Sequence, residues 1–115
     1  LLIIVGSAFL VAACSITEPV AVVSEDGKIL RGTTTAEMTG EGSFTVTGDD
    51  MTCTGNYNAF DMSPTIPLSV LCDNGITGIG SATRTNDGRS GSGTFTDSNG
   101  KDWRFVFGAN AAALM

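Results

Sequence analysis

The chain has 115 residues and a formal net charge of −6, with 42% apolar and 16% charged content, enough for one small globular domain. It contains no histidine, which removes Ser/His/Asp and Cys/His nucleophile systems, His-ligated metals and a His-based pH switch. With 12 acidic against 6 basic residues, the charge balance works against phosphate backbones, so nucleic acid is not an expected partner.

Residues 1–13 carry no charge, and every charged side chain lies from Glu18 onward. As a helix this run is about 20 Å long against a hydrocarbon core of about 30 Å, too short to span a membrane. Its length suits the apolar part of a secretory signal, and Ala12 and Ala13 suit the narrow subsites of a signal peptidase. A start Met and a basic segment are missing, so the signal reads as truncated at its front. A buried strand or helix, and an ordinary secretory signal cut nearby, are the other readings of this run.

The motif Val11-Ala12-Ala13-Cys14 resembles the lipobox of bacterial lipoproteins. The resemblance implies cleavage between Ala13 and Cys14, a diacylglycerol on the Cys14 thiol and an acylated amino end. Two or three acyl chains anchor a protein stably where one does not. Ser15 stands where an Asp would imply inner-membrane retention in that family, so the outer membrane is slightly favoured. The expected organisation is a signal over 1–13, a lipidated Cys and short linker over 14–19, a β-domain over 20–108 and a tail over 109–115.

Assigning Cys14 to lipid leaves Cys53 and Cys72 as an even pair. In an oxidising compartment they are expected to form a disulfide. A metal site wants about four ligands, and a redox dithiol usually shows Cys-x-x-Cys spacing.

Fifteen glycines, three prolines and abundant Ser and Thr favour strands and tight turns over helices. Turn signals recur at Glu25-Asp26-Gly27, Gly48-Asp49-Asp50, Asp73-Asn74-Gly75, Asn86-Asp87-Gly88 and Ser98-Asn99-Gly100, and the Asn-Gly and Asp-Gly pairs predict type I′ hairpin turns. Period-two sets nominate inward faces: Phe44 and Val46; Met51, Cys53 and Tyr57; Leu68, Val70 and Cys72; Trp103, Phe105 and Phe107. Thr45, Thr47, Thr52 and Thr54 read as solvent-facing. The Ala-rich end, 109–115, reads as a frayed turn or an extra edge segment. The fold expected is an all-β antiparallel meander of hairpins, closed as a small barrel or left as an open roll, with one disulfide.

Gly40-Glu41-Gly42, Gly78-Ile79-Gly80 and Gly91-Ser92-Gly93, each preceding a Thr/Ser-rich strand, resemble MORN-type hairpin repeats; the same glycines suit a sheet that bends to close a barrel. Gly27 to Ala36, Cys53-Thr54-Gly55-Asn56-Tyr57, Cys72-Asp73-Asn74-Gly75 and Gly91-Ser92-Gly93-Thr94 are together similar to a group of small β-rich bacterial lipoproteins, which implies a fold and a location but no activity.

No constellation carries chemistry. Asp97-Ser98-Asn99-Gly100-Lys101-Asp102 has its Gly too early and no closing Glu for a calcium loop, and reads as a hairpin turn. Asp49-Asp50 reads as a solvated turn. The glycine-rich Gly78 and Gly91 segments lack the helix and the Lys-Ser/Thr that phosphate binding needs. Trp103, Phe105 and Phe107 read as core, with an aromatic ligand platform as the alternative. No catalytic residue, metal or cofactor is expected. The functional expectation is a lipid-anchored envelope protein with a structural or interaction β-domain, its partners the membrane through the anchor and an envelope or secreted protein. The alternative is an inhibitor or binder of a cationic secreted enzyme such as lysozyme, drawn in by the acidic surface.

Overall fold

The computed structural model describes residues 15–48, 50–86 and 89–112. The chain runs through β1 (Ser15–Ser24), β2 (Ile29–Glu37), β3 (Glu41–Thr47), β4 (Thr52–Asn58), β5 (Thr65–Cys72), β6 (Thr77–Arg84), β7 (Gly91–Asp97), β8 (Asp102–Phe107) and the single helical turn α1 (Ala109–Ala112). Each strand pairs antiparallel with the next, and β8 pairs back onto β1 to close a barrel. The meander therefore closes rather than remaining an open roll. β1 begins at Ser15, so residues 15–19, expected as a linker, form part of the wall. Ala13 and Cys14 lie outside the described residues, as does Asp49 of the Asp49-Asp50 pair. The expected tail contributes α1, whose Ala111 is completely buried.

Alternation is cleanest in β5, where Ile66, Leu68, Val70 and Cys72 face inward and Thr65, Pro67, Ser69 and Leu71 face out. The barrel is apolar inside and largely polar outside, the inverse of a barrel whose wall faces lipid. No helix among the described residues is long and apolar enough to cross a membrane.

The turns differ from the type I′ expectation. Gly27 N–H donates to Ser24 O at 3.0 Å and Ser24 N–H to Lys28 O at 2.9 Å; Cys72, Gly75 and Ile76 repeat the pattern, as do Asp97, Gly100 and Lys101. This is the three-residue hairpin, which needs one left-handed residue rather than two. Gly27, Gly75 and Gly100 supply it, with φ of 92°, 88° and 82°. All three turns stand at the same end of the barrel, which they close.

The Gly-x-Gly segments follow from the narrowness of the interior. Phe44 lies opposite Gly55, Tyr57 opposite Gly42, Phe95 opposite Gly80, Phe105 opposite Gly93 and Phe107 opposite Gly91. A β-carbon at Gly55 would sit 2.2 Å from the Phe44 ring, and one at Gly93 would sit 2.5 Å from the Phe105 ring and 2.1 Å from the Ser81 carbonyl. Each of these five inward aromatics thus covers a glycine on the adjoining strand, as a small barrel requires when large and small residues must share its bore. The glycines serve barrel closure, and the hairpins do not stack as an open repeat array.

Near the closed end the bore is filled. Val22, Leu30, Val46 and Cys53 are its most completely buried large side chains, and Cys53 is joined to Cys72 with an S–S distance of 2.06 Å. The two cysteines are direct partners across β4 and β5. Toward the other end two ladders stop early. The β1–β8 ladder ends at Val20, one residue from Pro19, and the β4–β5 ladder ends at Ser69, two residues from Pro67. A proline has no N–H to extend a ladder: Pro19 keeps a single bond on this side, its carbonyl accepting from the Gly108 N–H at 2.9 Å, Pro67 stands beyond the last β4–β5 pair, and past these two prolines the barrel opens.

Candidate binding cavity at the open end

A cavity of about 380 Å³ enters the barrel from this open end. Val22 and Phe95 line its inner end, Val20, Ile66, Leu68, Ala82, Phe105 and Phe107 its wall, and Glu18, Thr34, Tyr57, Met62 and Arg84 are among the residues near its mouth. From Ile16 to Val22 along β1 is about 20 Å of strand, or about 15 Å of depth once strand tilt is allowed for. An eight-stranded barrel has just enough bore for side chains or for one small ligand. Here side chains fill the closed half and leave the open half hollow. The volume falls within the roughly 300–1,000 Å³ of small-molecule sites.

The polar groups of the mouth are held by one another. Tyr57 Oη and Thr34 Oγ1 share a hydrogen bond of 2.8 Å across β4 and β2. Arg89 Nε donates to Glu18 Oε2 at 3.0 Å. Arg84 Nη2 donates to the backbone carbonyls of Asp61 and of Ser63, the latter at 2.8 Å. Those carbonyls belong to the loop that joins β4 to β5, which is also tied by Ala59 N–H to Gly40 O at 2.8 Å and by Arg84 N–H to Pro64 O at 3.0 Å. The loop is thus strapped over the unpaired seam that Pro67 marks. Within it the Asp61 carboxyl is held below its usual range, chiefly by the Ser63 N–H and hydroxyl, with the Arg84 charge adding to the effect.

The fold matches a designed one. A solved structure of a de novo designed fluorescence-activating beta barrel is 21% identical, the match covering 79% of this chain and 88% of that one, and superposes with a TM-score of 0.59. The likeness is one of fold. No family model matches the chain, and no curated protein matches it.

The closed end has its own polar anchor. Asp97, 6% exposed, accepts hydrogen bonds of 2.9 Å from Trp103 Nε1, Asn99 N–H and Lys101 N–H. Burial pushes its carboxyl up, but these three donors outweigh burial and hold it below the ordinary 3.8. Asp26, on the neighbouring turn, is lowered to about 2 by the Ser24 hydroxyl and then by Lys101, which lies over the Trp103 ring. Because the folded pKa of Asp97 lies below its unfolded value, its stabilisation is complete above the unfolded value and is lost as pH falls through the folded one. Asp97→Asn is expected to cost about 2 kcal/mol at pH 7 and to flatten the acid limb of stability. Urea midpoints from pH 7 to pH 2 check this, and a wild-type slope in the variant would contradict it.

The sequence-predicted residues divide between the two ends. Cys53 and Cys72 meet in the closed half. Trp103 stacks on Phe95 with ring centroids 5.7 Å apart and belongs to the core, whereas Phe105 and Phe107 also line the cavity. The 97–102 segment is a hairpin turn whose Asp97 is spent on Trp103 and two backbone N–H groups. Asp50 pairs with Lys28 at 3.1 Å. Among the described residues no three Cys, Asp or Glu side chains gather so as to hold a metal ion. Sequence reasoning missed the cavity and its mouth residues Glu18, Thr34, Tyr57 and Arg84. The signal available was Pro19 and Pro67 inside otherwise strand-like segments, since a proline in a strand marks a missing ladder.

Proposed function

We propose that this protein is a lipid-anchored component of a bacterial cell envelope whose barrel holds one amphipathic small molecule, tail inward, without catalysing its conversion. The observation that carries the reading is the half-filled bore: an apolar cavity closed at one end, with hydrogen-bonding and charged groups only toward its mouth. Such a site removes an alkyl chain from water, at about 0.8 kcal/mol per buried CH₂, and leaves a polar head at Tyr57, Arg84 and Glu18. The anchor rests on Val11-Ala12-Ala13-Cys14 after an uncharged run. The Cys53–Cys72 disulfide suits an oxidising compartment, and Ser15 after the lipidated position favours the outer membrane.

Two measurements test the reading. Titration with a dansyl-labelled fatty acid is expected to give a blue-shifted emission that saturates at one ligand per chain and is reversed by an unlabelled long-chain fatty acid. Absence of saturable binding removes the ligand role. Cys14→Ser is expected to leave the membrane fraction on a carbonate wash, and its retention there removes the lipid anchor.

A further inference from the structure

Among the described residues the exposed large apolar side chains are Ile16, Ile29, Met38, Phe60, Met62, Leu71 and Ile79. They are not evenly spread. Ile16 at the start of β1, Met38 in the β2–β3 turn, and Phe60 and Met62 in the β4–β5 loop all stand at the open end, 48%, 68%, 61% and 87% exposed. Three separate segments therefore present bare hydrophobic side chains around one mouth. The closed end offers only Ile29, while Leu71 and Ile79 stand on the outer wall. Clustering of this kind on one end of a small domain marks a contact surface.

The chain itself names the occupant. Ser15, first residue of β1, lies in this rim opposite Glu37, the residue that precedes Met38 in the chain. The fourteen residues before it are uncharged throughout and end in Cys14. We infer that the open rim, with Phe60 and Met62 foremost, rests in the interface of a phospholipid bilayer, so that the cavity opens onto lipid and exchanges its ligand with the membrane. Apolar side chains at such an interface are buried about 5–10 Å deep, at the boundary of headgroups and acyl chains. Exposed Glu37 and Glu41 share the rim, so the surface it fits is zwitterionic rather than strongly anionic. The inference rests on the anchored-barrel reading for which end of the barrel the membrane meets, and it makes a separate demand: contact, not merely tethering.

The test uses the full chain purified from membranes and reconstituted into phosphatidylcholine vesicles that carry doxyl-labelled lipid. Tryptophan quenching is measured for Phe60→Trp at the rim and for Ile79→Trp on the outer wall, each against the wild type with its buried Trp103. Phe60→Trp is expected to show at least twofold more quenching than either comparator. Equal quenching at both positions, or none at Phe60→Trp, overturns the inference. Mass spectrometry of the same samples separates it from the anchor. Acylated Cys14 with unquenched Phe60→Trp overturns the rim contact and leaves the tether, whereas an unacylated chain with quenched Phe60→Trp overturns the tether and leaves the rim contact.

Discussion

Replacing Cys53 and Cys72 together by Ser is expected to remove about 3 kcal/mol of stability, the chain-entropy value for a loop of this size. At roughly 4–8 °C per kcal/mol for a domain of this length, the melting temperature falls by about 15 °C. The position of the bond makes the loss concentrated. The β4–β5 ladder holds four register pairs, from Cys53↔Cys72 to Asn56↔Ser69, whereas β5–β6 holds seven. The disulfide therefore clamps the shortest seam of the barrel at its closed end, and beyond Ser69 only the strapped loop over Pro67 bridges the gap. Without the bond, β4 and β5 are held by four pairs, and the double variant is expected to open there first. Urea unfolding of the variant and of the reduced wild type checks this, with hydrogen exchange at Thr54 and Leu71 locating the opening. A loss below 1 kcal/mol, or exchange unchanged at those amides, would show that the seam does not need its clamp. The serines also leave two hydroxyls in an apolar bore, so the reduced wild type, which keeps the sulfurs, separates loop entropy from polar burial.

Much of the barrel was legible because its two strongest signals are local. Alternation such as Leu68, Val70 and Cys72 needs only a period of two, and a turn such as Asp73-Asn74-Gly75 announces itself within three residues. The turn type was less legible, since Asn-Gly serves both a two-residue and a three-residue hairpin, and the count of ladder bonds decides between them. Closure was harder still. It depends on β8 finding β1 across the whole chain, and the residues that permit it, the glycines beneath Phe44, Tyr57, Phe95, Phe105 and Phe107, look in sequence like flexible spacers. The cavity was the least legible feature. It is a volume left over when the closed half packs and the open half does not, and no single residue encodes that difference. Pro19 and Pro67 come nearest, because each forbids a hydrogen bond that would have drawn the open end shut.

The hollow half gives the second large effect. Ala82 on β6 is buried, lines the cavity, and stands between Ile66 on β5 and Gly93 on β7. Ala82→Phe sends a ring into space that side chains leave empty. Affinity for the dansyl-labelled fatty acid is expected to fall at least tenfold, because the alkyl tail and the ring compete for one bore that admits a single chain. Stability is expected to hold or to rise by about 1 kcal/mol, since cavity filling gains dispersion contacts that the native site forgoes. Ile79→Phe, on the outer wall of the same strand, adds apolar bulk without entering the bore and is expected to change neither quantity. The two readouts pull apart what one would confuse. A variant that binds poorly because it is misfolded loses both stability and affinity, whereas a blocked site loses affinity alone. A stability loss above about 2 kcal/mol would mark overpacking and show that the bore at Ala82 is already full. Unchanged affinity in a stable variant would place the ligand outside the barrel. The opposite signs of the two effects are what a site kept hollow for function predicts, because residues that would complete the core are withheld where a ligand must enter.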